Sequence, residues 1–160
     1  MMKRTALLLA CATVLALVGC ATTPAPSSIA DTAARSPQLS TLSRLLAEAG
    51  LADTLRGTGP FTVFAPSDEA FKAVPAKTMA ELSADKDLLR SVLSFHVLPG
   101  KTMAADVANG NAKTVQGASV ALSRAGSFVT IEDAVVQSAD LVATNGVVHI
   151  IDRVLMPPLK

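Results

Sequence analysis

The sequence contains no tryptophan and no tyrosine, and phenylalanine, at five positions, is its only aromatic residue. The strongest contacts in protein–protein interfaces come mainly from tryptophan, tyrosine and arginine. Most of the five phenylalanines can be assigned to the core. A binding surface on this chain would therefore use arginine, leucine, methionine or backbone groups, and we expect its affinity to be modest.

Catalytic motifs are also missing. The chain has only two histidines, His96 and His149, no Gly-x-Ser-x-Gly turn and no complete Gly-x-x-x-x-Gly-Lys-Ser/Thr phosphate loop. Ser67 and Asp68 could be drawn as a triad with either histidine, but Ser67 is also well placed to cap a helix. We predict that the chain is not an enzyme and takes no metal or cofactor.

Cysteine is scarce, and both cysteines, Cys11 and Cys20, lie near the N-terminus. Lys3 and Arg4 precede an uncharged run at residues 6–18, which is the order of a secretory signal. At ~1.5 Å per helical residue this run reaches about 20 Å, against roughly 30 Å for the hydrocarbon core of a bilayer. A transmembrane anchor is therefore the weaker interpretation.

The run ends in Leu17-Val18-Gly19-Cys20, which resembles the lipobox of bacterial lipoproteins. A rival frame ending at Cys11 would leave too short an apolar region. The resemblance implies that residues 1–19 are a lipoprotein signal peptide and that Cys20 carries several acyl chains, which together anchor a protein firmly. The alternative is that Cys20 is an ordinary small residue in an uncleaved helix or a classical secretory signal.

Removal of residues 1–19 would have three consequences. Cys20 becomes the only cysteine, so neither a disulfide nor a cysteine-ligated zinc site can form. Loss of Lys3 and Arg4 reduces the 14 basic side chains to 12 against 13 acidic ones, which argues against nucleic acid as a partner. Ala21 and Thr22 follow Cys20 without the aspartate that retains lipoproteins in the inner membrane, so a Gram-negative source predicts the outer membrane.

Residues 20–36 have the composition of a flexible tether after the lipidated cysteine, with prolines, small polar residues and no hydrophobic period. As a coil, the sixteen residues that follow Cys20 would have a root-mean-square reach of about 20–25 Å. Residues 37–160 have the length of one domain with one core. We therefore expect a single folded domain that begins at Pro37.

Within the domain, helical periodicity comes first and strand-like runs follow. The spacing of Leu39, Leu42 and Leu45 predicts a helix from Pro37 to Gly50, and a second helical pattern covers residues 82–98. Residues 61–65 read as a strand, followed by a short helix capped by Ser67. After Gly110 the chain has five β-like runs, at residues 114–115, 119–123, 128–132, 135–142 and 147–155. This order predicts the α+β class.

Three segments carry a family resemblance. They read GPFTVFAPSDEAF at 59–71, LLRSVLSFHVLPG at 88–100 and NGVVHIIDRVLMPP at 145–158. In this order and spacing they resemble the fasciclin (FAS1) domain, over nearly all of residues 37–158. The resemblance implies a FAS1-like wedge, a seven-stranded β-sandwich with several helices mainly in the N-terminal half. Its signature residues, each a candidate for a binding or a structural role, are Thr62, Phe64, Asp68, Phe71, Phe95, His96, Asn145, Gly146, His149 and Asp152.

Most of these residues are expected to be structural. Phe95 and His96 correspond to a pair linked with receptor binding in animal members of the family, but Phe95 replaces the more usual tyrosine and lacks its hydroxyl. We favour a structural role for His96, His149 and Asp152, each of which needs a polar partner if buried. Asn145-Gly146, between two apolar runs, predicts a hairpin with a type I′ turn.

The sequence thus predicts an exported, monomeric lipoprotein of the cell envelope, attached to a membrane through Cys20. Its fasciclin-like domain would be a binding or adhesion module for a protein or a matrix polymer at the cell surface. The alternative is a carrier of a small hydrophobic ligand in the envelope or periplasm. A carrier would require a sizeable apolar pocket.

Overall fold

A computed structural model describes residues 27–157, so the signal sequence and the lipobox with Cys20 lie outside the described residues. The helices are α1 (Ile29–Arg35), α2 (Ser40–Glu48), α3 (Asp68–Lys72), α4 (Ala76–Ala84) and α5 (Lys86–Phe95). The strands are β1 (Phe61–Pro66), β2 (Val97–Pro99), β3 (Gly110–Lys113), β4 (Ser119–Ala125), β5 (Phe128–Ile131), β6 (Ala134–Ala143) and β7 (Gly146–Ile151). The predicted α+β class, with seven strands and helices mainly in the N-terminal half, is confirmed.

The strands are hydrogen-bonded in the order β2-β1-β7-β6-β5-β4-β3. Only β1 and β7 are parallel, with Phe61 opposite Gly146 and Pro66 opposite Ile151. Both central strands therefore begin at one end of the domain and finish at the other. We call the first the turn end, because it carries the β6–β7 turn, and the second the cleft end, because two clefts described below open there.

The core has two parts because β1 and β7 are covered on both faces. Val63 and Val148 pack against the helices, whereas Phe64 and Ile151 pack against the sheet formed by β3, β4 and β5. Successive side chains of a strand point to opposite faces, so a strand between two layers is buried on both faces. All six residues of β7 are accordingly buried.

Helix α2 buries the predicted stripe of Leu42, Leu45 and Leu46, but it begins at Ser40 rather than Pro37. The predicted start was wrong because the helix receives its cap from Asp68, which is distant in sequence. The second helical pattern, predicted over residues 82–98, is divided between two helices, since α4 ends at Ala84 and α5 runs from Lys86 to Phe95, after which β2 begins.

The structure corrects the predicted tether. Residues 29–35 form helix α1, which has Ser28 as its N-cap and buries Ile29, Ala30 and Ala33. Its apolar face is built largely from alanine, and a helix of seven residues, about two turns, is too short to show a period among small polar neighbours. The folded part of the chain therefore begins at least ten residues before Pro37.

The predicted hairpin forms, but its turn is not the predicted type I′. Ala143 pairs with Gly146, which leaves Thr144 and Asn145 as the two turn residues. Neither of them has a positive φ, whereas Gly146, at the start of β7, has a φ of +158°. Tertiary contacts of Asn145, described below, hold the turn in this arrangement.

Two strands differ from the prediction by more than two residues. Strand β3 lies at Gly110–Lys113, ahead of the apolar pair at residues 114–115, and β7 ends at Ile151, so residues 152–155 form no strand. Within residues 27–157, none of the helices is both long and apolar enough to cross a bilayer.

Candidate functional site

The first signature block connects β1 to the segment that follows β2. Thr62 is buried, and its Oγ1 donates to the carbonyl of Gly100 (2.7 Å) and accepts from the backbone N–H of Thr102 (2.8 Å). Phe64 is also buried, and its ring centroid lies 5.3 Å from that of His149. The contacts of both side chains are therefore internal to the domain.

Asp68 joins two helices. Its Oδ1 accepts from the backbone N–H of Thr41 (2.8 Å) and its Oδ2 from the hydroxyl of Ser40 (2.6 Å), at the start of α2. Burial raises the pKa of the Asp68 carboxyl, but these hydrogen bonds outweigh it and leave the pKa below its usual value. Ser67 caps α3 by accepting from the N–H of Ala70 (3.2 Å), and Phe71 is buried among the helices.

His149 links β7 to the segment after β2 and to the irregular part of β6 between Ser138 and Leu141. Its Nε2 lies 2.9 Å from the carbonyl of Thr102, and its Nδ1 accepts from the backbone N–H of Asp140 (3.2 Å). These partners require the neutral ring with its proton on Nε2. Burial lowers the pKa of His149, against the opposing effects of the Thr102 carbonyl and the Asp140 carboxylate, so the ring stays neutral at neutral pH.

His96 carries its proton on the other nitrogen. Its Nδ1 donates to the carbonyl of Val92 (2.8 Å), and its Nε2 accepts from the backbone N–H of Leu155 (2.9 Å). Burial lowers the pKa of His96 to about 4, against the opposing effect of the Val92 carbonyl. Phe95 is buried beside it, so neither member of the Phe-His pair is displayed on the surface.

Asn145 joins three parts of the chain at the turn end. Its Oδ1 accepts from the N–H of Ile29 (2.9 Å), and its Nδ2 donates to the carbonyls of Leu55 (2.6 Å) and Gly57 (2.9 Å). The next residue, Gly146, is packed so tightly against β1 that a Cβ there would overlap the carbonyl oxygen of Phe61. Glycine is therefore required at this position by close approach.

At the cleft end, Asp152 fixes the start of β6. Its Oδ1 accepts from the N–H of Val135 (2.7 Å), and its own N–H donates to the Val135 carbonyl (3.1 Å). This pair positions residues 153–156, which continue from Asp152 across the cleft end. All ten signature residues thus have a place in the fold, while the histidines, Asp68 and Asn145 lie in separate clusters.

Two clefts of about 520 Å³ each flank residues 153–156. One lies toward β6 and includes Glu132 and Asp133, and the other lies toward α3 and includes Val74. Arg153, Val154 and Met156 line both. The clefts are open to solvent and combine charged with apolar side chains, so neither is the enclosed apolar pocket that a carrier of hydrophobic ligands requires.

The charged groups of these clefts are available to a partner. Arg153 and Asp133 are exposed, and neither forms a side-chain hydrogen bond or ion pair within residues 27–157. Met156 is 43% exposed. A cation, an anion and a flexible apolar side chain are therefore displayed together on one surface.

The polar signature residues have no arrangement suited to catalysis. Ser67 and Asp68 each cap a helix, and both histidines are buried with both ring nitrogens engaged. Among the residues that the structure describes, no three His, Cys, Asp or Glu side chains converge to form a metal site.

Sequence reasoning missed the partners of these residues. Asp140, whose carboxylate lies 4.0 Å from Nδ1 of His149, has a φ of +58° and accepts from the N–H of Ala104 (2.8 Å). No local motif marks it, because both contacts are long-range. Arg153 and Met156 were seen only as part of the third signature block, and no pattern indicated that they line two clefts.

Comparison with protein families gives a match to the fasciclin domain over residues 37–157. The protein sll1483 of Synechocystis is 40% identical over 146 residues, covering 90% of this chain and 81% of that protein. Immunogenic protein MPB70 of Mycobacterium bovis is 39% identical over 135 residues, covering 81% and 69%. Cell surface glycolipoprotein MPB83 of the same species is 36% identical over 141 residues, covering 85% and 63%.

A solved structure of a FAS1 domain pair from the insect cell adhesion molecule fasciclin I has the same fold. Its TM-score is 0.64 at 19% sequence identity, and the match covers 82% of this chain and 51% of that one. At this identity the likeness concerns the fold alone. The match to about half of the solved chain is the extent expected for one domain of a pair.

Proposed function

This chain belongs to the fasciclin family, and we propose that it is a lipoprotein of the cell envelope whose fasciclin domain binds a partner at the cell surface. The relative MPB83 is a cell surface glycolipoprotein, and fasciclin I is a cell adhesion molecule. The lipobox at Cys20 supports export and lipid attachment of this chain. In a Gram-negative source, the residues after Cys20 support the outer membrane.

The observation that carries the proposal is a contrast between two sets of side chains. The signature residues make their contacts inside the domain, whereas the side chains of the clefts are exposed. The signature side chains that could recognise a partner are already engaged in internal hydrogen bonds or buried in the core. The clefts at the cleft end instead display Arg153, Asp133 and Met156, and neither charged side chain has a polar partner in the part of the chain that the structure describes. We infer that a protein segment or a matrix polymer binds across residues 153–156, where arginine would supply the main polar contact.

Cross-linking in intact cells tests this surface. We expect Arg153→Glu to reduce capture of the partner about tenfold, the equivalent of ~1.4 kcal/mol for a reversed charge at a modest interface. The captured species would be identified by mass spectrometry and quantified against the unmodified protein.

Arg44→Glu is the matched control, because Arg44 is an exposed arginine on α2, which lines neither cleft, and its ion pair with Glu48 (3.6 Å) lies at the surface. It should capture the partner normally. Equal capture by both variants, with equal amounts of folded protein, would count against the clefts as the binding surface.

Lipid attachment is tested by cysteine replacement. Cys20→Ala should move the protein from the membrane fraction to the soluble exported fraction, since a single folded domain without acyl chains has no firm hold on a bilayer. Cys11→Ala is the control, because that cysteine lies inside the proposed signal and should leave the distribution unchanged. Fractionation with detection of both forms measures this, and a membrane-bound Cys20→Ala protein would contradict the proposal.

A further inference from the structure

The N-terminal segment joins the domain at the turn end. The carbonyl of Ser27 accepts from the N–H of Thr144 (2.9 Å), and the N–H of Ile29 donates to Oδ1 of Asn145 (2.9 Å). Ile29 is buried against the start of β7. The first described residues are therefore fixed at the β6–β7 turn, and the direction from which the chain enters the domain is set.

The length of chain between Cys20 and this point is short. Seven residue steps separate Cys20 from Ser27, and even a fully extended chain spans only about 25 Å over that length. A folded domain of about 130 residues has a radius of gyration near 14 Å and hence a diameter of about 35 Å. With Cys20 held at a bilayer, the turn end must lie within about 25 Å of the lipid surface, so the domain cannot stand with its cleft end on the membrane and its turn end about 35 Å above it.

The turn end also has the charge and the apolar group that suit a lipid surface. Lys101 and Arg56 line a common cleft beside the turn, and Arg35 donates to the hydroxyl of Ser27 (2.9 Å). Asp31 and Asp53 pair with Arg56, so Lys101 and Arg35 supply the positive charge.

An apolar side chain accompanies these cations, since Val142, on β6 just before the turn, is 60% exposed. The cleft end, with Glu132, Asp133 and Asp152 against Arg153, has the opposite charge balance. This difference in charge between the two ends favours an orientation in which the turn end faces an anionic membrane surface.

We infer that the turn end lies against the phospholipid surface that carries the anchor. Arg35 and Lys101 contact headgroup phosphates, Val142 enters the interface, and the two clefts face away from the membrane. This orientation rests on the proposed lipid attachment at Cys20. It makes the membrane a partner of the domain itself and presents residues 153–156 to the outside.

The absence of tryptophan makes a clean test available, because one introduced tryptophan is the only indole in the protein. Val142→Trp and Met156→Trp place the reporter on exposed positions at the turn end and the cleft end. Each lipidated full-length variant is incorporated into vesicles of phosphatidylethanolamine and phosphatidylglycerol with brominated acyl chains. We expect roughly twofold quenching of the tryptophan at 142, because it enters the interface, and none at 156.

Equal quenching at both positions, or quenching at 156 alone, would overturn the orientation. Flotation of the same vesicles separates the two proposals. A protein that floats but shows no quenching at 142 keeps its lipid attachment and refutes the orientation, whereas a protein that does not float refutes both. Thr144→Trp, at an exposed residue of the same turn, provides a second reporter if Val142→Trp does not fold.

Discussion

Gly146→Ala is expected to reduce the free energy of unfolding by about 4 kcal/mol or more, a large part of the stability of a domain of this size. A Cβ at this position would overlap the carbonyl oxygen of Phe61 and lie 2.8 Å from Cδ1 of Ile29. Neither neighbour can move freely. Phe61 is paired with Gly146 in the parallel β1–β7 ladder, and its N–H donates to the carbonyl of Asn145 (3.0 Å).

Gly110→Ala is the matched control for this prediction. Gly110 has a φ of +150°, close to the +158° of Gly146, but no atom lies within 4 Å of the position that a Cβ would take there. Its replacement should cost only about 1 kcal/mol of backbone strain. Urea unfolding followed by far-ultraviolet circular dichroism measures both variants, and equal losses would show that φ, rather than the contact with Phe61, is the reason for glycine at 146.

Gly146 also shows where the sequence was informative and where it was not. The Asn-Gly pair between two apolar runs correctly predicted a hairpin, because this signal is local. It did not predict the turn residues, because Asn145 is held by Ile29, Leu55 and Gly57 and Gly146 by Phe61. Contacts separated by some 90 to 116 residues leave no trace in the local pattern.

The helix predictions show the same difference between local and long-range contacts. Ser67 was predicted as a cap because it accepts from an N–H only three residues away. Asp68 caps a helix too, but that helix is α2, 27 residues away along the chain. Periodicity located the buried stripe of α2 correctly. The start of that helix depends on Asp68, which lies too far along the chain for any local sequence window to include it.

The candidate site shows the same difference between what the local sequence reveals and what depends on long-range contacts. The family signature was recognised from the sequence, but the signature marks residues that hold the fold together. The proposed partner surface contains Arg153, Asp133 and Met156, and Asp133, which lies far from the other two along the chain, is brought close to them by the pairing of β6 with β7. Helix α1 was not predicted for a related reason. Its alanines are core residues because they pack on β6 and β7, and the local sequence does not show that packing.

The stability of the domain is expected to fall by about 3 kcal/mol as the pH decreases from 6.5 to 4, largely because of His96. Its pKa is about 4 in the folded state, against 6.5 for an ordinary histidine. Between these values the unfolded chain takes up a proton that the folded chain excludes, so acid favours unfolding until the folded pKa is passed. The lowered pKa of His149 acts in the same direction.

Carboxyl groups with lowered pKa values, such as Asp68, lose their contribution at still lower pH, because their folded pKa lies below 3.8. The interval from 6.5 to 4 therefore reports mainly on the two histidines. His96→Gln separates them, since a glutamine oxygen can still accept from the N–H of Leu155 but cannot be protonated in this range. His149→Gln is the corresponding control for the second ring.

We expect His96→Gln to be less stable than the unmodified protein at neutral pH by about 1 kcal/mol, because it loses the hydrogen bond to the Val92 carbonyl. On acidification from pH 6.5 to 4, however, it should show only a small part of the ~3 kcal/mol loss of the unmodified protein, whereas His149→Gln should retain most of that loss. Urea titrations at several pH values measure both slopes. Parallel slopes for the unmodified protein and His96→Gln would mean that His96 is protonated equally well in the folded and unfolded chain, against its burial between α5 and Leu155.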